Sequence, residues 1–188
     1  MLLRKLLLLS ALVSISATSA YGAEMNAGIV HFTGEIIEPS CTIKGDTGTT
    51  NNVPLGTYPT SLFTQVSDES DLVPFSIELI NCPVTSAGLP NIHLTFEGPT
   101  ALTNSNNLLD VSSAAATAAT NVGIAVSLKG STTLLKMDGT DEKSIELGLP
   151  SLANDSIIAD FNARYKAFAI PVTAGPADAD MTVNILYR

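Results

Sequence analysis

The sequence predicts an all-β fold, a sandwich of short strands. Three observations carry that expectation. Short segments of alternating or continuous apolar character recur along the chain. Clusters of Gly, Pro, Asn and Asp separate them at close intervals. The one alanine-rich run, Ser112–Asn121, is interrupted by Ser and Thr and shows no apolar face, so it reads as a loop rather than a helix. Hydrophobic residues make up 45% of the 188 residues and charged residues 14%, enough apolar material for a packed core. Aromatics are only 5% and Trp is absent, so small aliphatic side chains must fill that core. The length suits one domain, with or without a short appendage.

Taken in order, the first element is an address. Arg4 and Lys5 precede an apolar run, Leu6–Ile15, and small and polar residues follow through Gly22. This is the layout of a secretory signal peptide, too short to span a bilayer. Cleavage fits after Ala20 or after Gly22, and residues 1–22 are assigned to the removed segment. No later apolar run is long enough for a membrane span. The expected strands are Ile29–Ile37, Ser40–Lys44, Val73–Asn81, Asn91–Glu97, Val122–Leu128, Ser144–Leu147, Ile157–Ile170 and Met181–Tyr187. Between them fall breakers such as Gly45-Asp46, Pro54, Pro83, Pro90, Gly98-Pro99, Asp138-Gly139 and Gly175-Pro176.

Export decides how the cysteines read. Cys41 and Cys82 are the only two, and in an oxidising compartment an even pair is most simply one disulfide. Closing a loop of roughly 40 residues contributes about 4 kcal/mol in the chain-entropy account.

The terminal segments carry the unusual pattern. Gly28, Val30, Phe32, Gly34 and Ile36 share one strand face, and Ile29, His31, Thr33, Glu35 and Ile37 the other. A glycine inside such a pattern marks a close approach of another backbone. At the other end Met181, Val183, Ile185 and Tyr187 alternate with Thr182, Asn184, Leu186 and Arg188, running to the carboxyl terminus without a cap. Pattern alone allows these to be two edge strands of a closed sandwich.

Several pieces, in order, resemble the chaperone–usher pilus subunits of the type-1 fimbrial pilin family. Gly28-Ile-Val-His-Phe-Thr-Gly34-Glu-Ile-Ile resembles the family's N-terminal extension running into its first strand. Cys41 follows, and Cys82 closes Phe75-Ser-Ile-Glu-Leu-Ile-Asn-Cys82. Val53-Pro-Leu-Gly56, Ala119-Thr-Asn-Val-Gly-Ile124 and Phe161-Asn-Ala-Arg-Tyr165 resemble internal family pieces. Gly175 and the penultimate Tyr187 match the C-terminal β-zipper motif.

The resemblance implies an incomplete immunoglobulin-like β-sandwich lacking its last strand, completed by a donor strand from another subunit. Residues 23–35 would form the donor-strand extension and residues 36–188 the pilin domain. Val30, Phe32, Gly34 and Ile36 would enter a neighbour's groove, with Gly34 suited to a shallow pocket. Gly175, Met181, Val183, Ile185 and Tyr187 would form the acceptor strand that first meets a periplasmic chaperone, which would anchor the Arg188 carboxylate. An outer-membrane usher would then deliver the subunit into a homopolymer at the cell surface, a fimbrium, with host receptors left to a separate tip adhesin. The extension favours a shaft subunit over an adhesin or a terminator, and a minor or adaptor subunit is the alternative. The disulfide would tie the first strand to the second.

Rival functions find little in the residues. The net charge of −9, from 9 basic and 18 acidic residues, argues against nucleic acid as a partner. A hydrolase needs a nucleophile and base or paired carboxylates. His31 lies in the extension and His93 is expected on a polar strand face. Neither Asp138-Gly139 with Asp141-Glu142 nor Asp68-Glu69 with Asp71 matches a calcium loop, and both read as solvated turns. A sugar-binding sandwich lacks the aromatic platform such sites use. No cofactor, metal or catalytic residue is expected.

Overall fold

The computed structural model describes residues 28–38, 40–45, 47–111, 116–140 and 145–188. The signal-peptide assignment, residues 23–27 of the extension, and Asp141-Glu142 lie outside them. The chain divides into Met1–Thr33 and Gly34–Arg188. In the first unit residues 28–33 make no strand ladder, and Ile29, Val30 and Phe32 are largely exposed.

Among the described residues the strands all lie in the second unit: β1 Thr42–Lys44, β2 Val73–Ile80, β3 Asn91–Glu97, β4 Leu109–Asp110, β5 Val122–Leu128, β6 Glu146–Gly148, β7 Ile157–Ala167 and β8 Thr182–Tyr187. A single 3-10 turn, Thr60–Leu62, interrupts the long connection from β1 to β2. Five strands form one sheet in the order β1-β2-β7-β5-β4, and three form the other as β6-β3-β8. Every named pairing is antiparallel, so each strand can bury one face on the core and show the other to solvent.

The two sheets meet through aromatic rings. Phe75 and Phe161 are register partners on β2 and β7, stacked with centroids 5.4 Å apart. Phe96 of β3 meets Phe161 edge-on from the opposite sheet at 5.6 Å. Phe161, Ile92, Leu94 and Leu79 have essentially no exposure. Small aliphatics do fill the rest: Ala159, Ala163, Val126 and Ala167 are buried around these rings.

Several sequence expectations are refined. β3 and β5 have the expected bounds. β7 stops at Ala167 rather than Ile170, because the N–H groups of Phe168 and Ala169 turn to the Asn121 carbonyl instead of a ladder. β4 was not anticipated; two residues are too short to show a period. His93, expected on a polar strand face, is buried at 8% exposure, and Thr95 beside it on that face is buried at 3%. β3 is the central strand of its sheet, and all its residues from Ile92 to Phe96 are buried. Residues 116–121 are irregular, as expected of the alanine-rich run, and residues 112–115 lie outside the described set.

The disulfide forms between Cys41 and Cys82. It links the residue before β1 to the chain just past β2, beside the register pair Thr42↔Ile80. One wall of the sandwich is thereby stapled at its end.

Candidate assembly groove

β1 is an edge of the larger sheet and β8 an edge of the smaller. Among the described residues β1 pairs only with β2 and β8 only with β3. The two free edges face one another across a groove of about 1250 Å³. Its walls come from Ile43 on one side and from Met181, Val183, Ile185 and Tyr187 on the other. Phe75, Ile77 and Val126 are also among its lining residues. Thr182 and Asn184 of β8 also line the groove, but it is the apolar set that packs against the core. These wall residues pack against the core yet stay only partly buried. Apolar surface left wet in this way forgoes about 25 cal/mol per Å².

One end of the groove is bridged. The Cys41 N–H donates to the Tyr187 hydroxyl oxygen at 3.0 Å, joining the two edges. The lining also includes Gly56, Tyr165 and Ala177. The Tyr165 hydroxyl donates to the Ala177 carbonyl at 3.0 Å and its ring meets Tyr58 edge-on. Burial, with the Asp178 carboxylate nearby, pushes the Tyr165 hydroxyl above its usual range.

The remaining sequence-derived site residues sort by place. Gly175 does not line the groove. A Cβ there would come within 2.2 Å of the Thr117 carbonyl oxygen and 2.5 Å of the Ala119 nitrogen, so the glycine lets two backbone segments pass. Arg188 is exposed, and its N–H donates to the Asn91 carbonyl, continuing the β3–β8 ladder by one step. Val30 is 76% exposed, Phe32 88% and Ile36 99%. A Cβ built on Gly34 meets nothing within 4 Å, and its φ is not positive, so this chain's own fold does not require a glycine there.

Sequence reasoning missed a charged cluster elsewhere. Arg164, 5% exposed, donates from Nε to Glu69 at 2.6 Å and from a terminal nitrogen to Ser127 at 3.1 Å. Lys166 also reaches Glu69, at 2.7 Å. Burial raises the Glu69 carboxyl, but hydrogen bonds and charge from Lys166 and Arg164 outweigh it and hold it below the usual range. Asp68, accepting N–H bonds from Thr64 and Gln65, and the exposed Asp71 and Asp138 fit the solvated turns expected of them. Glu69 and Arg164 lie 95 residues apart, and no local spacing signals such a pair. His31 is exposed, and His93 lies 3.9 Å from Glu146 across the β3–β6 pair. Among the described residues no three His, Cys, Asp or Glu side chains are grouped to hold a metal.

Comparison with known proteins places this geometry. Residues 30–188 match the family model described as fimbrial protein. The chain is 35% identical over 188 residues to a type-1 fimbrial protein subunit of Serratia marcescens, covering 99% of this chain and 100% of that one. It is 34% identical to the uncharacterized fimbrial-like protein SfmA of Escherichia coli (strain K12), over 92% of each. Among solved structures, the P pilus rod subunit PapA superposes with a TM-score of 0.61 at 21% identity, covering 79% of this chain and 99% of that one. A subunit from a chaperone–usher pilus studied for rod uncoiling gives 0.59 at 22%, over 90% and 100%. These relatives are structural subunits rather than enzymes. The chain belongs to the fimbrial protein family, and its fold is that of the chaperone–usher pilus subunits.

Proposed function

We propose that the chain is a structural subunit of an adhesive surface pilus, polymerising head to tail by donor-strand exchange, and that it builds the shaft. One observation carries the reading. A groove with Ile43, Phe75, Ile77, Val183 and Ile185 in its lining lies open between two sheet edges that each lack a partner on one side among the described residues, while an exposed extension of the same chain offers alternate apolar side chains. A strand laid into the groove would satisfy both edges at once, the backbone ladders giving affinity and the alternate side chains register. Val30, Phe32 and Ile36 supply the knobs. Gly34, which nothing in its own subunit requires, suits a place where a neighbour's surface leaves no room for a Cβ. Each subunit gives a strand and accepts one at different surfaces, so the contact is heterologous and the product an open filament.

Before assembly, a periplasmic chaperone would occupy the groove along Met181, Val183, Ile185 and Tyr187, and an outer-membrane usher would exchange it for the next extension. The shaft assignment is supported by full-length similarity to type-1 subunits and by the likeness to PapA, itself a rod subunit. The test is polymerisation of full-length variants. Phe32→Asp and Gly34→Arg are expected to be exported and captured by the chaperone but to yield no filaments. Filaments of normal length from either variant would overturn the donor assignment.

A further inference from the structure

The root of the extension is held by its own subunit. The Ser86 hydroxyl donates to Glu35 Oε2 at 2.6 Å. Ser86 sits in a tight turn, its hydroxyl also accepting the Leu89 N–H at 3.1 Å. Gly88 in the same turn makes room for the carboxylate, since a Cβ there would lie 2.5 Å from Glu35 Oε2 and 3.0 Å from Glu35 Cβ. Two residues on, Ile37 packs against the hydrophobic core. Between them Ile36 is 99% exposed. The segment forms no strand, yet its contacts split it by face. Glu35 and Ile37 look to their own subunit, and Gly34 and Ile36 look away from it.

We propose that residues 34–37 are a stiff joint between successive subunits, with Glu35 locked on Ser86 as the residue that sets the angle of the departing strand. The proposal rests on the donor-strand reading above. If Gly34 and Ile36 seat in a neighbour while Glu35 and Ile37 seat at home, no spare residue separates the two bodies. A flexible linker needs several residues free of both partners, and here there are none. The lock would hold filament direction, not strand affinity, because Glu35 and Ser86 lie off the donor face. Hydrogen bonds to charged acceptors shift a docked–undocked equilibrium by roughly tenfold or more.

Full mature chains test this in two states. In the monomer, Ser86→Ala and Glu35→Ala are expected to lower the NMR order parameters of residues 35–37, and Ser86→Thr to keep them at the wild-type level. In filaments measured by electron microscopy, the same two alanine variants are expected to assemble in normal amounts but to lose persistence length, again recovered by Ser86→Thr. Filaments of unchanged stiffness overturn the joint whatever the monomer does, and leave donor exchange standing. Filaments from Phe32→Asp would instead sink the donor reading on which the joint depends.

Discussion

If the groove is an unfilled strand position, a peptide copy of the extension should stabilise a subunit that lacks it. The subunit would be the mature chain without residues 23–35, and the peptide residues 24–36. The expected size follows from the exposed side chains. Val30, Phe32 and Ile36 are 76%, 88% and 99% exposed and would each lose that exposure on insertion. Burying one such side chain contributes about 1.5–3 kcal/mol. Peptide at about 100 times its Kd stabilises the native state by roughly 2.7 kcal/mol, which for a chain this size raises Tm by roughly 5–10 °C. A Phe32→Ala peptide loses about 2–3 kcal/mol and binds roughly 30–150-fold more weakly. At the same concentration it should raise Tm by only about 1–3 °C. Gly34→Arg should abolish the effect if the groove, as proposed, leaves no room for a Cβ at that position. Differential scanning calorimetry reads all three. A subunit indifferent to every peptide would mean a closed fold, and equal stabilisation by the Phe32→Ala peptide would mean the wrong face was assigned.

Tyr187→Phe removes the hydroxyl that accepts the Cys41 N–H across the groove end. It should cost about 1 kcal/mol in urea unfolding, and an unchanged midpoint would show that the bridge contributes nothing. Glu69→Ala leaves Arg164 buried without its carboxylate and should cost about 3 kcal/mol, checked by the same titration. Asp138 has its pKa lowered to about 2 by hydrogen bonds from the Thr140 side chain, the Asn106 amide and the Thr140 N–H. A lowered folded-state pKa stabilises above the unfolded value of 3.8 and is lost as pH falls towards 2. Asp138→Asn should therefore flatten the decline in stability across that window, and an identical acid limb in both proteins would contradict the assignment.

What the sequence shows is what local periodicity encodes. β3 and β5 are continuous or alternating apolar runs bounded by breakers, and their bounds follow from that alone. The apolar set at the C-terminal end is equally legible, because Met181, Val183, Ile185 and Tyr187 all reach the groove and pack against the core, although Thr182 and Asn184 line the groove too. The extension shows the limit. Ile29–Ile37 has the same alternation and yet makes no ladder within its chain, since a strand needs a partner and periodicity says nothing about where that partner is. Arg164 shows another limit. Its neighbours Phe161 and Ala163 follow the strand rule and face the core, but its burial depends on Glu69 and Ser127 arriving from distant segments. His93 fails for a related reason: the rule of one wet face assumes an uncovered sheet, and β3 is covered on both sides. Gly175 and Gly88 are glycines for the sake of contacts that only the folded chain creates.

The lengths of the edge strands argue that the opening is selective. A two-sheet sandwich has four edges, and exposed edges invite pairing with other chains. Here β4 has 2 residues, while β1 and β6 have 3 each. Short edges offer too few consecutive N–H and C=O groups to template a foreign strand. β8, with 6 residues, is the exception, and it is the edge whose inward side chains line the groove. An unplanned defect would leave edges exposed without regard to what lies beneath them. This fold keeps three edges short and leaves one long edge, β8, which faces the short β1 across the groove. The lone long edge gives association a direction, because a strand that pairs with β8 gains both a ladder and a hydrophobic floor, whereas pairing at β4 or β6 gains neither in comparable measure. Lengthening β6 or β4 by design should then produce aggregates of mixed geometry, visible by electron microscopy, while mutations confined to the exposed extension should change only whether filaments form.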